Sequence, residues 1–153
     1  DVSMACNGLL AGIVAISAGA PYVGPTSALI IGAVAGLLAC VGVLFNERTL
    51  RIDDPCGSVS VHGYCGWWGA VALGLFANDR DGRVVGLFHG HAQQLGMQLA
   101  GATAGAVLAF GATYAIFSVV NRTWRMRVDH EIEAEGLDLA EFGMLAYPDE
   151  DGV

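Results

Sequence analysis

Lysine is absent from this chain of 153 residues, and charge of either sign is scarce, with Asp, Glu, Lys and Arg making up 14%. A soluble domain carries roughly 25%. The missing charge is missing in runs. No charged residue occurs from Val2 to Asn46, from Pro55 to Asn78, or from Val84 to Asn121. A helix needs ~20 mostly apolar residues to cross the hydrocarbon layer, and each run supplies them. The hydrophobic share of 54% and the mean hydropathy of +0.54 point the same way. These absences exclude a domain wetted on all sides and predict an integral membrane protein. None of the runs alternates apolar and polar residues with period two, which argues against a β-barrel. Without lysine or a basic cluster there is no surface for nucleic acid. The four cysteines (Cys6, Cys40, Cys56, Cys65) form no CxxC pair and lie in or beside apolar segments, so they read as small packing residues. Asp1 stands where a start Met or a positive n-region would be, so no signal peptide is evident. The sequence reads as an excerpt or a processed piece.

What is present divides the runs into helices. "GAPYVGP" (Gly19 to Pro25) interrupts the first run, because glycine and proline punctuate helices. The expected fold is an all-α membrane protein with four transmembrane helices, near residues 4–18, 26–45, 58–77 and 92–121, followed by a tail over 122–153. The last helix is long enough to tilt or to project beyond the bilayer. Arg48 and Arg51 lie between helices two and three, and Arg122, Arg125 and Arg127 follow helix four. Only Arg80 and Arg83 lie on the other side, beside Asp79 and Asp81. The positive-inside rule then places both ends of the chain in the cytoplasm; the membrane expected is the cytoplasmic (inner) one. The net charge of −8 belongs largely to the tail, which holds nine of the fifteen acids.

Glycines four apart (Gly8 and Gly12, Gly32 and Gly36, Gly101 and Gly105) put small stripes on helix faces, with Gly63, Gly66 and Gly69 adding another. Such stripes let helix backbones approach closely where lipid gives no hydrophobic drive to associate. Within "SVSVHGYCGWWG" stands His62. An ionisable residue inside a span is costly and marks a functional path more often than not; the alternative is a ring bonded to a backbone carbonyl for structure. Desolvation favours the uncharged imidazole, which has one donor and one acceptor nitrogen and so relays hydrogen bonds. Pro55 precedes His62 by only about 10 Å of helical rise, so "DDPCGS" is expected to dip inward, with Asp53 or Asp54 capping helix three.

Other histidines carry less. Cys56, His62 and Cys65 match no zinc spacing. His89 and His91 in "FHGHA" read as loop residues, and His130 lies in the polar tail. No metal site, no cofactor motif and no nucleophile–base set is evident, so no enzyme is expected.

"RIDDPCGSVSVHGYCGWWGAVALGLFA" resembles the ammonium transporter family (Amt/Mep, related to the Rh proteins). "NGLLAGIVAISAGAPYVGPTSALIIGAVAG" resembles its two preceding helices, and "RVDHEIEAEGLDLAEFGMLAYP" its cytoplasmic tail. The resemblance implies the last four helices of an eleven-helix fold, in homotrimers with one narrow hydrophobic pore per subunit. It implies that His62 is the second of two hydrogen-bonded pore histidines, that ammonium loses its proton and ammonia crosses, and that Ser58, one turn before His62, lines the same path. Asp54 and Gly63 are expected to be structural beside the pore. Glu135, Gly136, Leu137 and Asp138 would couple the tail to a neighbouring subunit and to a PII-type signalling protein. The family's first pore histidine, its aromatic gate and most of its outer recruitment site have no counterpart in this sequence. A pore built between inverted halves is not completed by part of one half, so this chain is not expected to conduct alone. The alternatives are an ammonium sensor or a non-conducting structural membrane subunit.

Overall fold

The structure is a computed structural model that describes residues 2–79, 82–124 and 126–144, with Glu135 described by its backbone alone. Among the described residues five α-helices follow in order: α1 (Val2–Ser17), α2 (Pro25–Phe45), α3 (Cys65–Phe76), α4 (Ala92–Thr123) and α5 (His130–Glu135). Pro25 at the first position of α2 suits a helix start, where its missing N–H is not needed. Wider π turns occupy Asn46–Leu50, at the end of α2, and Val59–Tyr64, directly before α3. A third covers Asp138–Phe142. Among the described residues, strand-like pairing is limited to one antiparallel bridge, Asn78 with Val85.

The chain divides into two units, 1–109 and 110–153. The first is held by small residues. Ala11, Ala15, Ile31, Ala35, Ala39, Val61, Cys65 and Ala72 form its core. Their spacing of four is conspicuous: Ile31, Ala35 and Ala39 on α2, then Val61, Cys65, Gly69 and Leu73 through the π turn and α3. Four residues exceed one 3.6-residue turn, and small residues so spaced belong to right-handed helix crossings with close backbones. The closest approach is at Gly69, where a Cβ would collide with the backbone carbonyl of Ala15. Gly12 and Gly32 face each other across α1 and α2, with a built Cβ on Gly12 only 3.8 Å from the Gly32 Cα.

Two side-chain donors fix α3 on α2. The Cys65 thiol donates to the Ala35 carbonyl at 3.3 Å and the Trp68 indole N–H to the Ile31 carbonyl at 3.1 Å. Residue number rises along α3 as it falls along α2, so these helices run antiparallel. Large side chains point outward instead. Leu29, Leu37 and Leu108 are each at least 70% exposed. Among the described residues two helices, Pro25–Leu50 with its π turn and Ala92–Thr123, are long and apolar enough to cross a membrane by themselves; α1 is shorter. The segment expected as one helix over 58–77 is a π turn continued by α3.

In the second unit, α5 ends at Gly136, whose φ of +103° is open to glycine and strained for other residues. Arg127 and Glu133 pair across the start of α5 at 2.7 Å. Arg80 and Arg125, which enter the orientation argument, lie outside the described residues, as do Tyr147 and the terminal "PDEDGV".

Candidate functional site

The sequence concentrates its chemistry where α2 ends and the Val59–Tyr64 π turn begins. Asp54 lies in the connection between them and is 4% exposed. A carboxylate so buried must have its oxygens filled, and they are. Oδ1 accepts the Val59 N–H at 3.1 Å. Oδ2 accepts the Ser60 N–H at 3.2 Å, the Ser60 hydroxyl at 3.0 Å and the Asn46 side-chain amide at 3.3 Å. The first two donors are N–H groups at the start of the turn, which have no partner within the helix. Asp54 therefore acts as an N-terminal cap reached from five residues upstream. Burial pushes its pKa up, but the Val59 and Ser60 amides, the Ser60 hydroxyl and Asn46 outweigh that and leave it lowered.

Asn46 is the hub of the cluster. It is 1% exposed. Its Nδ2 also reaches the Ser60 hydroxyl at 3.3 Å, and its Oδ1 accepts the Tyr64 hydroxyl at 2.6 Å. Gly42, one turn before Asn46, makes room: a Cβ there would lie 2.7 Å from the Tyr64 ring. Among the described residues no buried side-chain nitrogen or oxygen lacks a partner. The cluster is closed, with each donor and acceptor paired.

His62 lies in the same turn and faces away from it. It is exposed, as are Ser58 and Gly63. Above Gly63 a Cβ would meet only a Val59 methyl, at 3.8 Å. The structure thus brings Asp54 into a bonded cluster and leaves His62, Ser58 and Gly63 together on an open face. Asn46, Ser60 and Tyr64 were not singled out from the sequence. Their faint signal is phase: Asn46 follows Ala39 and Gly42 on the buried side of α2, and Tyr64 shares its stripe with Ser60 and Trp68. Among the described residues no three His, Cys, Asp or Glu side chains come together as metal ligands.

In the tail, Glu135 closes α5, Gly136 makes the turn, Leu137 is exposed and Asp138 opens the last π turn. The Arg127 side chain, by hydrogen bond and charge, holds the Glu133 carboxyl below its ordinary pKa.

A sequence profile of the Ammonium Transporter Family matches residues 1–147. The chain belongs to the ammonium transporter family. It is 39% identical to the Ammonium transporter Amt2 of Archaeoglobus fulgidus over 155 residues, which cover 97% of this chain and 33% of the relative. It is 35% identical to an Ammonium transporter of Bacillus subtilis, over 95% of this chain and 36% of that one. Among solved structures, Saccharomyces cerevisiae Mep2 superposes with a TM-score of 0.76 at 31% identity, covering 97% of this chain and 35% of Mep2. Candida albicans Mep2 superposes at 0.73 and 34% identity, covering 82% and 29%. The chain thus spans about a third of the length of the curated relatives it matches. Membership in this family makes it an integral membrane chain, and its relatives are named as transporters rather than enzymes.

Proposed function

We propose that this chain supplies the last four membrane-spanning helices of an ammonium transporter, over about 4–18, 26–45, 58–77 and 92–121, with the tail from 122 onward in the cytoplasm. The observation that carries the reading is His62. It is an ionisable ring on an exposed face of a chain that belongs to the ammonium transporter family. On this reading the open face, with Ser58 and Gly63 beside the ring, lines a narrow hydrophobic path completed by further residues of the transporter. Ammonium gives up its proton at the mouth, ammonia crosses, and the imidazole takes part in the proton relay through its two ring nitrogens. The chain alone does not conduct, since its path has walls on one side only. The outward Leu29, Leu37 and Leu108 meet lipid or neighbouring helices, and the subunits assemble as a homotrimer in the cytoplasmic membrane. Residues 135–138, at the bend after α5, form the contact with a neighbouring subunit and with a PII-type signalling protein.

The test is uptake of ammonium into vesicles holding the transporter that carries this chain, with His62→Ala against the unchanged protein. The reading expects normal membrane insertion and a large loss of uptake. Unchanged uptake per inserted molecule would falsify it, and loss of insertion without change in uptake per molecule would make the histidine structural.

A further inference from the structure

The Val59–Tyr64 turn is anchored at both ends to the same residue, Asn46, which caps the end of α2. At its start, Asn46 Nδ2 donates to Asp54 Oδ2 and to the Ser60 hydroxyl, and the Asp54 carboxylate accepts the Val59 and Ser60 N–H groups. At its end, the Tyr64 hydroxyl donates to Asn46 Oδ1 at 2.6 Å. The tyrosine bond also sets the amide's orientation. An oxygen that receives the phenol proton leaves the NH2 group to face the carboxylate. The backbone between the anchors is wound wide, with the Cys65 N–H bonded to the Ser60 carbonyl, five residues back. Such turns are rare and gather at functional sites. His62 stands midway between the anchors, two residues after Ser60 and two before Tyr64, on the exposed side.

We propose that Tyr64 and Asn46 are positioning residues for His62: their hydrogen bond holds the wide turn open and thereby fixes the direction of the imidazole. This rests on the pore reading of His62 given above. Beyond the turn, Cys65 and Trp68 remain tied to the Ala35 and Ile31 carbonyls. Releasing Tyr64 therefore does not let α3 slide. The slack is confined to residues 59–64, where the backbone is free to tighten toward the i→i−4 pattern. One residue of register is 100° about a helix axis, and a fraction of it moves the ring by more than about 1 Å. Misplacement of that size costs on the order of 100-fold where reacting groups must be aligned.

The experiment uses the full-length transporter that carries this chain, in vesicles, with ammonium as the probe. Tyr64→Phe is compared with the unchanged protein, with Val61→Ala and with His62→Gln. Val61→Ala trims a buried side chain of the same turn and keeps all three Asn46 hydrogen bonds. The expected result is a fall of about ten-fold or more in maximal uptake per inserted molecule for Tyr64→Phe, with KM within about two-fold and a displaced pH profile, while Val61→Ala keeps its uptake per molecule. Should Tyr64→Phe accumulate poorly, the pair Asn46→Leu with Tyr64→Phe removes both partners of the bond and leaves Asp54 its three donors from Val59 and Ser60. For the Tyr64–Asn46 bond, removing both partners leaves neither unsatisfied; the bonds that Asn46 gives Asp54 and Ser60 go as well, so uptake is read per inserted molecule, and the same loss is expected. Unchanged uptake per molecule and an unchanged pH profile overturn the proposal and leave Tyr64 a structural residue. An equal loss in Val61→Ala overturns it too. Wild-type uptake in His62→Gln identifies a different failure, that of the pore reading itself.

Discussion

One turn of helix, Val59–Tyr64, has two faces that share a backbone and little else. The face toward α2 carries Ser60, Val61 and Tyr64 and is closed, with every buried polar atom bonded to Asp54, to Asn46 or to the turn itself. The face turned outward carries His62 and Gly63 and is open. The comparison teaches that the ionisable group costing most to bury, Asp54, is spent on holding the turn, while the group suited to proton transfer is kept clear of that cluster. A satisfied network makes a rigid support, and on the proposed reading His62 stays free to bond what passes. Substitutions on the two faces should therefore fail in different ways.

The largest effect is expected at Asp54. Asp54→Ala takes the acceptor from the two backbone N–H groups and the Ser60 hydroxyl and leaves the Asn46 amide only the Ser60 oxygen. At about 1–3 kcal/mol for an unsatisfied buried group, the combined loss exceeds about 3 kcal/mol, a large share of any folding stability. Thermal stability in detergent and the amount of protein in the membrane should both fall sharply. His62→Ala should change thermal stability of this region by no more than about 0.5 kcal/mol, as surface positions do, while uptake per molecule collapses. Equal losses of folded protein from the two substitutions would erase the distinction between the faces.

Glycines sharpen the same contrast one step down. Gly69 packs on the backbone of Ala15, which cannot move aside without shifting α1. Gly69→Ala is expected to cost about 1–3 kcal/mol of stability by overpacking. On the open face, a methyl at Gly63 meets only a Val59 methyl at ordinary contact distance, so Gly63→Ala should fold normally and show its effect, if it lines the path, in uptake. Melting temperatures of the two variants, measured side by side, decide the matter. A Gly63→Ala melting point as low as that of Gly69→Ala would mean that the open face is packed after all.

The Asp54 cluster also makes a pH prediction. Its folded pKa is lowered, so its contribution to stability is complete above the unfolded carboxylate value near 3.9 and is lost as pH falls through the lower folded value. Melting temperature in detergent, followed from pH 7 to pH 3, should drop at the acid end. In Asp54→Asn that component of the drop should be missing. An identical acid slope in both proteins would place the sensitivity elsewhere.

Much of this was legible in the residues, and the rest was hidden for a physical reason. The charge-free runs made the helical membrane class readable, because burial in lipid acts on composition. The motif around His62 made the family readable, and the profile over residues 1–147 bears that out. The π turn was not readable. It depends on Tyr64 meeting Asn46, 18 positions away, and no local pattern encodes a contact made by packing one helix on another. Asn46 is a single amide at the end of an apolar run, and only the structure sets Asp54, Ser60 and Tyr64 around it.

The smallest effect is expected in the tail. Arg127 and Glu133 pair at 2.7 Å, but both are exposed. An exposed pair gains little, since water and salt screen it. Arg127→Gln should therefore leave uptake and melting temperature where they were. Its trace should appear only as faster amide hydrogen exchange in α5, whose start the pair bridges, and raising the salt should speed exchange in the unchanged protein toward the same rate. The direction of the Glu133 shift supplies a second check. Its carboxyl is held below the ordinary range by Arg127, so whatever protection the pair gives α5 is present at neutral pH and fades as pH falls through that lowered value. Protection that ignores both salt and acid would show that α5 is held by its own capping and not by the pair. A large loss of uptake in Arg127→Gln would instead show that the tail acts on the path, giving residues 135–138 a part in transport that local stability does not predict.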